Sequence, residues 1–164
     1  MAWSASKIFR PFLADVLDNT SALDLGSDAF KGALYDNSIT PDENVTSANS
    51  AYGGAGVWTA TGSGTGTAQV YQAGQWAQGG VALAGTVLNS GTSDVVFFDA
   101  NDIASGAAAT LANIFGLLIY DTTVSTPVAN QGICFNYFGG TNAVTNGTFT
   151  AVLNVLGLSR ITLT

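Results

Sequence analysis

The chain has 164 residues, of which 47% are hydrophobic and only 9% charged, with a net charge of −7. About a quarter of an ordinary soluble domain is charged, so this surface is built from neutral polar side chains that cost little to bury against a partner. The four cations, Lys7, Arg10, Lys31 and Arg160, are too few to neutralise phosphates or grip an anionic membrane, which excludes nucleic-acid binding and adhesion to anionic lipid.

One β domain spanning 1–164 is expected, with an N-terminal arm and short helix in 1–28. The start, Met1-Ala2-Trp3-Ser4-Ala5-Ser6-Lys7, has no export-signal pattern. No apolar run reaches the about 18 residues of a membrane helix. Folding in a cytoplasm is therefore expected. Phe9, Phe12, Leu13, Val16 and Leu17 recur at helical spacing, and Pro11 suits a first turn. This predicts a helix over Pro11–Asp18, either plugging one end of a β core or reaching to a neighbour. Ala29–Asp36 predicts a strand and Asn37–Ala48 a loop.

Segment 49–80 is rich in glycine, carries no charge and holds Trp58, Tyr71 and Trp76. It reads as an excursion within the domain, either an ordered contact loop or a disordered tip. In the first case its three aromatics are the candidate interface residues, because aromatics dominate interface energetics.

The second half is patterned as strands. Val81–Leu88 and Asp94–Asp99 flank a turn at Asn89-Ser90-Gly91. Asn113–Tyr120 is an almost continuous apolar run, as expected for a central strand buried on both faces. Gly132–Phe138 predicts a strand ended by Gly139-Gly140. Asn146-Gly147 signals a tight turn. Thr148–Asn154 and Leu158–Leu163 predict a closing hairpin around Leu156-Gly157. Several short strands with regular turns indicate an all-β sandwich or jelly-roll-like domain.

Catalytic chemistry has little to work with. Without histidine the commonest general base and metal ligand are missing, and one cysteine, Cys134, makes neither a disulfide nor a zinc site. Its apolar neighbours predict a buried, inert thiol. Lys7 and Lys31 lie in no catalytic motif. Asp99, Asp102 and Asp121 are the only carboxylates with a pairing to consider. Asp99-Ala100-Asn101-Asp102 has part of a calcium-loop pattern, but strand-ending Asx turns explain it as well. Three glycosylation sequons, at Asn19, Asn44 and Asn146, are expected by chance in so Asn- and Thr-rich a chain. No enzyme activity, cofactor or metal is expected.

Three segments carry a resemblance. They are Leu23-Asp24-Leu25-Gly26-Ser27-Asp28-Ala29-Phe30-Lys31-Gly32-Ala33-Leu34-Tyr35-Asp36 after the aromatic-leucine helix, Gly116-Leu117-Leu118-Ile119-Tyr120-Asp121-Thr122-Thr123, and Val144-Thr145-Asn146-Gly147-Thr148-Phe149-Thr150 with Asn154 and Gly157. In this order and spacing they resemble a group of small virion proteins of tailed bacteriophages. Gly32 departs from that group, which usually has valine there, and so does the excursion at Gly53–Gly80. The resemblance implies a structural virion component. A capsid decoration (cement) protein on the head exterior is the preferred role, forming a homo-oligomer, a trimer first, and docking on the major capsid protein. A tail or fibre component, or a glycan-binding host-surface module, is the alternative.

Overall fold

The computed structural model describes residues 3–61, 68–90, 94–154 and 157–162. The chain is all-β, apart from helix α1 (Arg10–Leu17) and a single helical turn, α2 (Ser47–Ser50). The strands are β1 (Lys7–Ile8), β2 (Phe30–Tyr35), β3 (Gln69–Val70), β4 (Val81–Ala82), β5 (Val87–Asn89), β6 (Val95–Asp99), β7 (Ile103–Ala104), β8 (Ala109–Asp121), β9 (Gly132–Gly147), β10 (Thr150–Ala151) and β11 (Ser159–Thr162). They form a large antiparallel sheet in the order β1-β9-β8-β2-β3, with β4 also on β2, a three-stranded sheet β11-β6-β5 and a two-stranded sheet β10-β7.

The centre of the large sheet is β8, paired on both sides. Its residues Gly116–Asp121 are all buried, as the unbroken apolar run there requires. Paired residues share a face, so the registers place Ile8, Cys134, Ile119 and Gly32 in one row across four strands. Lys7, Phe135, Leu118 and Ala33 form a row on the opposite face. The first face is covered by the small sheets. A Cβ at Gly32 would approach Ile103 of β7, and Phe30 meets Phe98 of β6 with ring centroids 4.9 Å apart. The second face is covered by the chain's first residues and the 51–60 segment, through Trp3, Phe9 and Trp58 around Phe135. One continuous apolar core therefore runs from Trp3 to Leu158.

Three local expectations are corrected by pairing. The run Val81–Leu88 is not one strand. The chain leaves β2 after β4, bends at Gly85 (φ +64) and joins the small sheet as β5. The bonds Leu83 N–H to Phe30 O (2.9 Å) and Asn101 N–H to Ala84 O (2.8 Å) hold the crossing. Gly139-Gly140 does not end β9. Opposite β8 the register jumps from Tyr137 to Asn142, and Gly139 at φ +80 allows the bulge that absorbs the extra residues. The C-terminal segments do not pair as a hairpin. β10 pairs with β7 and β11 with β6, because the small sheets need them to cover the first face.

Candidate docking site

The aromatics expected on a contact loop are placed differently. Trp58 is 1% exposed and Trp76 0%, which corrects their assignment as interface residues. Trp58 sits among Trp3, Phe9, Tyr35 and Phe135 at centroid distances of 5.2–5.8 Å. Trp76 donates its indole N–H to Gly32 O at 3.2 Å. A neutral, glycine-rich segment can be drawn against the core because it has no charge to desolvate, and it supplies ring area the sheet lacks. Tyr71 is half-buried. Part of the excursion, residues 62–67, lies outside the described residues.

The carboxylates weighed for catalysis serve the backbone instead. Asp99 accepts from Ala100 N–H at 2.9 Å and Asp102 from Leu153 N–H at 2.8 Å. Asp121 accepts from Thr123 N–H (2.8 Å) and Val124 N–H (2.7 Å), an Asx turn closing β8. Burial raises the Asp121 pKa, the two amides oppose this, and nearby Asp28 adds to the rise. Burial pushes the Cys134 thiol up to about 12. Among the described residues, no group of three or more His, Cys, Asp or Glu is placed to hold a metal.

The surface that stands out lies elsewhere. Helix α1 follows β1 with Pro11 in its first turn and stops at Asp18, whose N–H returns to Ala14 O at 2.9 Å. Within Arg10–Leu17 only Phe12 is fully buried. Val16 is 38% and Leu17 86% exposed. Between the helix and the three-stranded sheet runs a cleft of about 380 Å³. The helix contributes Phe12, Val16 and Leu17 to it, and the sheet contributes Leu88, Val96, Phe98 and Ile161. The registers Leu88↔Phe98 and Ile161↔Val96 put these four sheet residues on one face. Leu88 and Ile161 keep 44% and 40% of their surface exposed.

A second opening of about 420 Å³ adjoins the cleft, sharing Ile8 and Ser159 with it. Its walls are Ser6–Ile8 on one side and Gly157–Arg160 with Asn154 on the other. Lys7 and Arg160, two of the chain's four cations, stand here, and among the described residues no acidic residue lines either opening. Sequence reasoning did not find the cleft. Its faint signal was Leu17, an apolar residue at the edge of the helical stripe, with Ile161 alternating against Arg160. Comparison with family models, curated proteins and solved structures gives no match.

Proposed function

We propose that this protein is a structural virion component of a tailed bacteriophage, acting as a head decoration (cement) protein on the capsid exterior. Three segments of the sequence carry the resemblance to phage virion proteins, and the observation that best supports an assembly role is the unfilled apolar cleft between α1 and the β11-β6-β5 sheet. Apolar surface left open to water is costly, and burying it on a partner yields about 25 cal/mol per Å² before the costs of association. A protein that binds only the assembled shell stabilises it by mass action. Docking on the major capsid protein is the contact this role requires, and self-association, a trimer first, is proposed beside it.

The glycan-binding alternative would use Trp58, Tyr71 and Trp76 as stacking platforms. With both tryptophans in the core, only Tyr71 is left, either for those platforms or for an aromatic contact loop in the decoration role.

The test is binding of the purified protein to empty heads of the phage that encodes it, followed by co-sedimentation, with light scattering on the free protein for its mass. Saturable binding that raises the melting temperature of the heads is expected. Absence of head binding, with co-purification in tails instead, would overturn the head assignment.

A further inference from the structure

Among the described residues, the large sheet and the three-stranded sheet are joined on one side and open on the other. The chain from β4 to β5 carries Val81–Asn89 from the edge of β2 to the edge of β6. On the far side, β1 is the last strand of the large sheet and β11 the last strand of the three-stranded sheet. They are not paired with each other, and the opening lined by Ser6–Ile8 and Gly157–Arg160 lies between them. Among the described residues neither strand has a further strand paired on its outer side, the condition under which a sheet edge recruits an additional strand.

The side chains along the seam alternate in a consistent sense. On β1, Ile8 lies on the cleft face and Lys7 on the other. On β11, Ser159 and Ile161 line the cleft, while Arg160 is paired opposite Phe97 on the outer face. A strand laid between them would send every second side chain into the apolar cleft and the intervening ones outward beside Lys7 and Arg160. The protein's net charge of −7 repels acidic partners over most of its surface, but at this seam two cations face outward and, among the described residues, no acidic side chain lines the openings.

We propose that the seam between β1 and β11 is a strand-acceptor slot, filled in trans by an extended segment of a partner protein whose residues alternate apolar and acidic. This rests on the assembly role proposed above and specifies its chemistry. The donated strand supplies backbone hydrogen bonds to both edges, apolar side chains to the cleft and carboxylates to Lys7 and Arg160. Four residues of β11 span about 13 Å at strand rise, so a donor of about six to eight residues is long enough.

The probe is a synthetic peptide of about eight residues alternating leucine or valine with aspartate, added to the full-length protein and followed by calorimetry and amide hydrogen exchange. Binding is expected, with new protection of the β1 and β11 amides. It is expected to weaken about tenfold when lysine replaces aspartate, and to weaken between about 50 mM and about 500 mM salt. The same residues in scrambled order, which breaks the alternation, are expected to bind poorly. Lys7 and Arg160 are both exposed, so the Lys7→Glu and Arg160→Glu variants are expected to keep the wild-type melting temperature while losing peptide affinity.

The slot is overturned if the alternating and scrambled peptides bind alike or neither binds. It is also overturned if a fatty acid such as laurate occupies the cleft and the peptide does not, or if scattering shows a closed oligomer in which these amides are already protected, meaning that a second copy fills the seam. Head binding that persists undiminished in Arg160→Glu and Lys7→Glu removes the slot and leaves the decoration role standing. Peptide binding without head binding does the reverse.

Discussion

Gly32 sits where the packing leaves little room for a side chain. A Cβ there would stand 2.9 Å from Ile103 Cδ1, 3.1 Å from Leu117 Cδ1 and 3.5 Å from Ile119 Cδ1. The first distance is below normal contact, but the obstructing atoms are methyl ends. Gly32→Ala gains about 0.5–1 kcal/mol of strand propensity and spends a similar amount displacing two methyls, so it is expected to fall within about 1 kcal/mol of wild type. Gly32→Val adds two more methyls to a filled site, and overpacking of this kind costs about 1–3 kcal/mol. Ile103→Val removes the nearest obstruction and by itself costs about 0.5–1.5 kcal/mol as a cavity. Together the two changes exchange volume, and the double variant is expected to be more stable than the sum of the singles by about 1 kcal/mol or more. Urea unfolding followed by fluorescence of the buried tryptophans measures all four proteins. A Gly32→Val that is stabilising in the wild-type background, or a coupling below about 0.3 kcal/mol, would refute the claim that Ile103 occupies the volume a valine would need.

Trp58→Ala is expected to lower stability by about 3–5 kcal/mol, since it empties a site bounded by four rings. Trp58→Phe, which keeps an aromatic edge, should cost clearly less by the same urea measurement. Cys134 is 1% exposed and burial pushes its thiol pKa up to about 12, so at about pH 8 the thiol stays protonated. Ellman's reagent is expected to label it only as fast as the protein opens, and rapid stoichiometric labelling of the native protein would contradict this burial. Asp121 has a raised folded-state pKa, so the folded state binds its proton more tightly than the unfolded state. Its contribution is therefore most favourable below the ordinary aspartate pKa and is lost as pH rises through the folded value. Asp121→Asn keeps an acceptor for Thr123 and Val124 and removes the buried charge. Its stability relative to wild type should improve between about pH 4 and about pH 7 in paired urea titrations.

Much of the fold is legible along the chain. The spacing of Phe9, Phe12, Leu13, Val16 and Leu17 predicted a helix over Pro11–Asp18, and the helix occupies Arg10–Leu17. The unbroken run Asn113–Tyr120 marked the central strand, which pairs on both sides as β8. These are local signals, because side-chain periodicity follows directly from backbone geometry. The candidate site was hardly legible. Lys7 and Arg160 are 153 residues apart in sequence, and only the lateral order of two sheets places them on one opening.

The amino-acid sequence by itself determined that the protein is β-built, sparsely charged with an acidic balance, short of catalytic groups and punctuated by glycine. Tertiary structure decided which of its neutral surfaces faces water. Trp58 and Trp76 look like contact residues in a glycine-rich segment, yet they complete the core. Leu17 and Ile161 look like core residues on amphipathic elements, yet they line an open cleft. Periodicity determines which side chains share a face of an element. Whether that face is covered depends on segments far away in sequence, and here, among the described residues, the β4–β5 crossing closes one side of the sheets and leaves the β1–β11 side open.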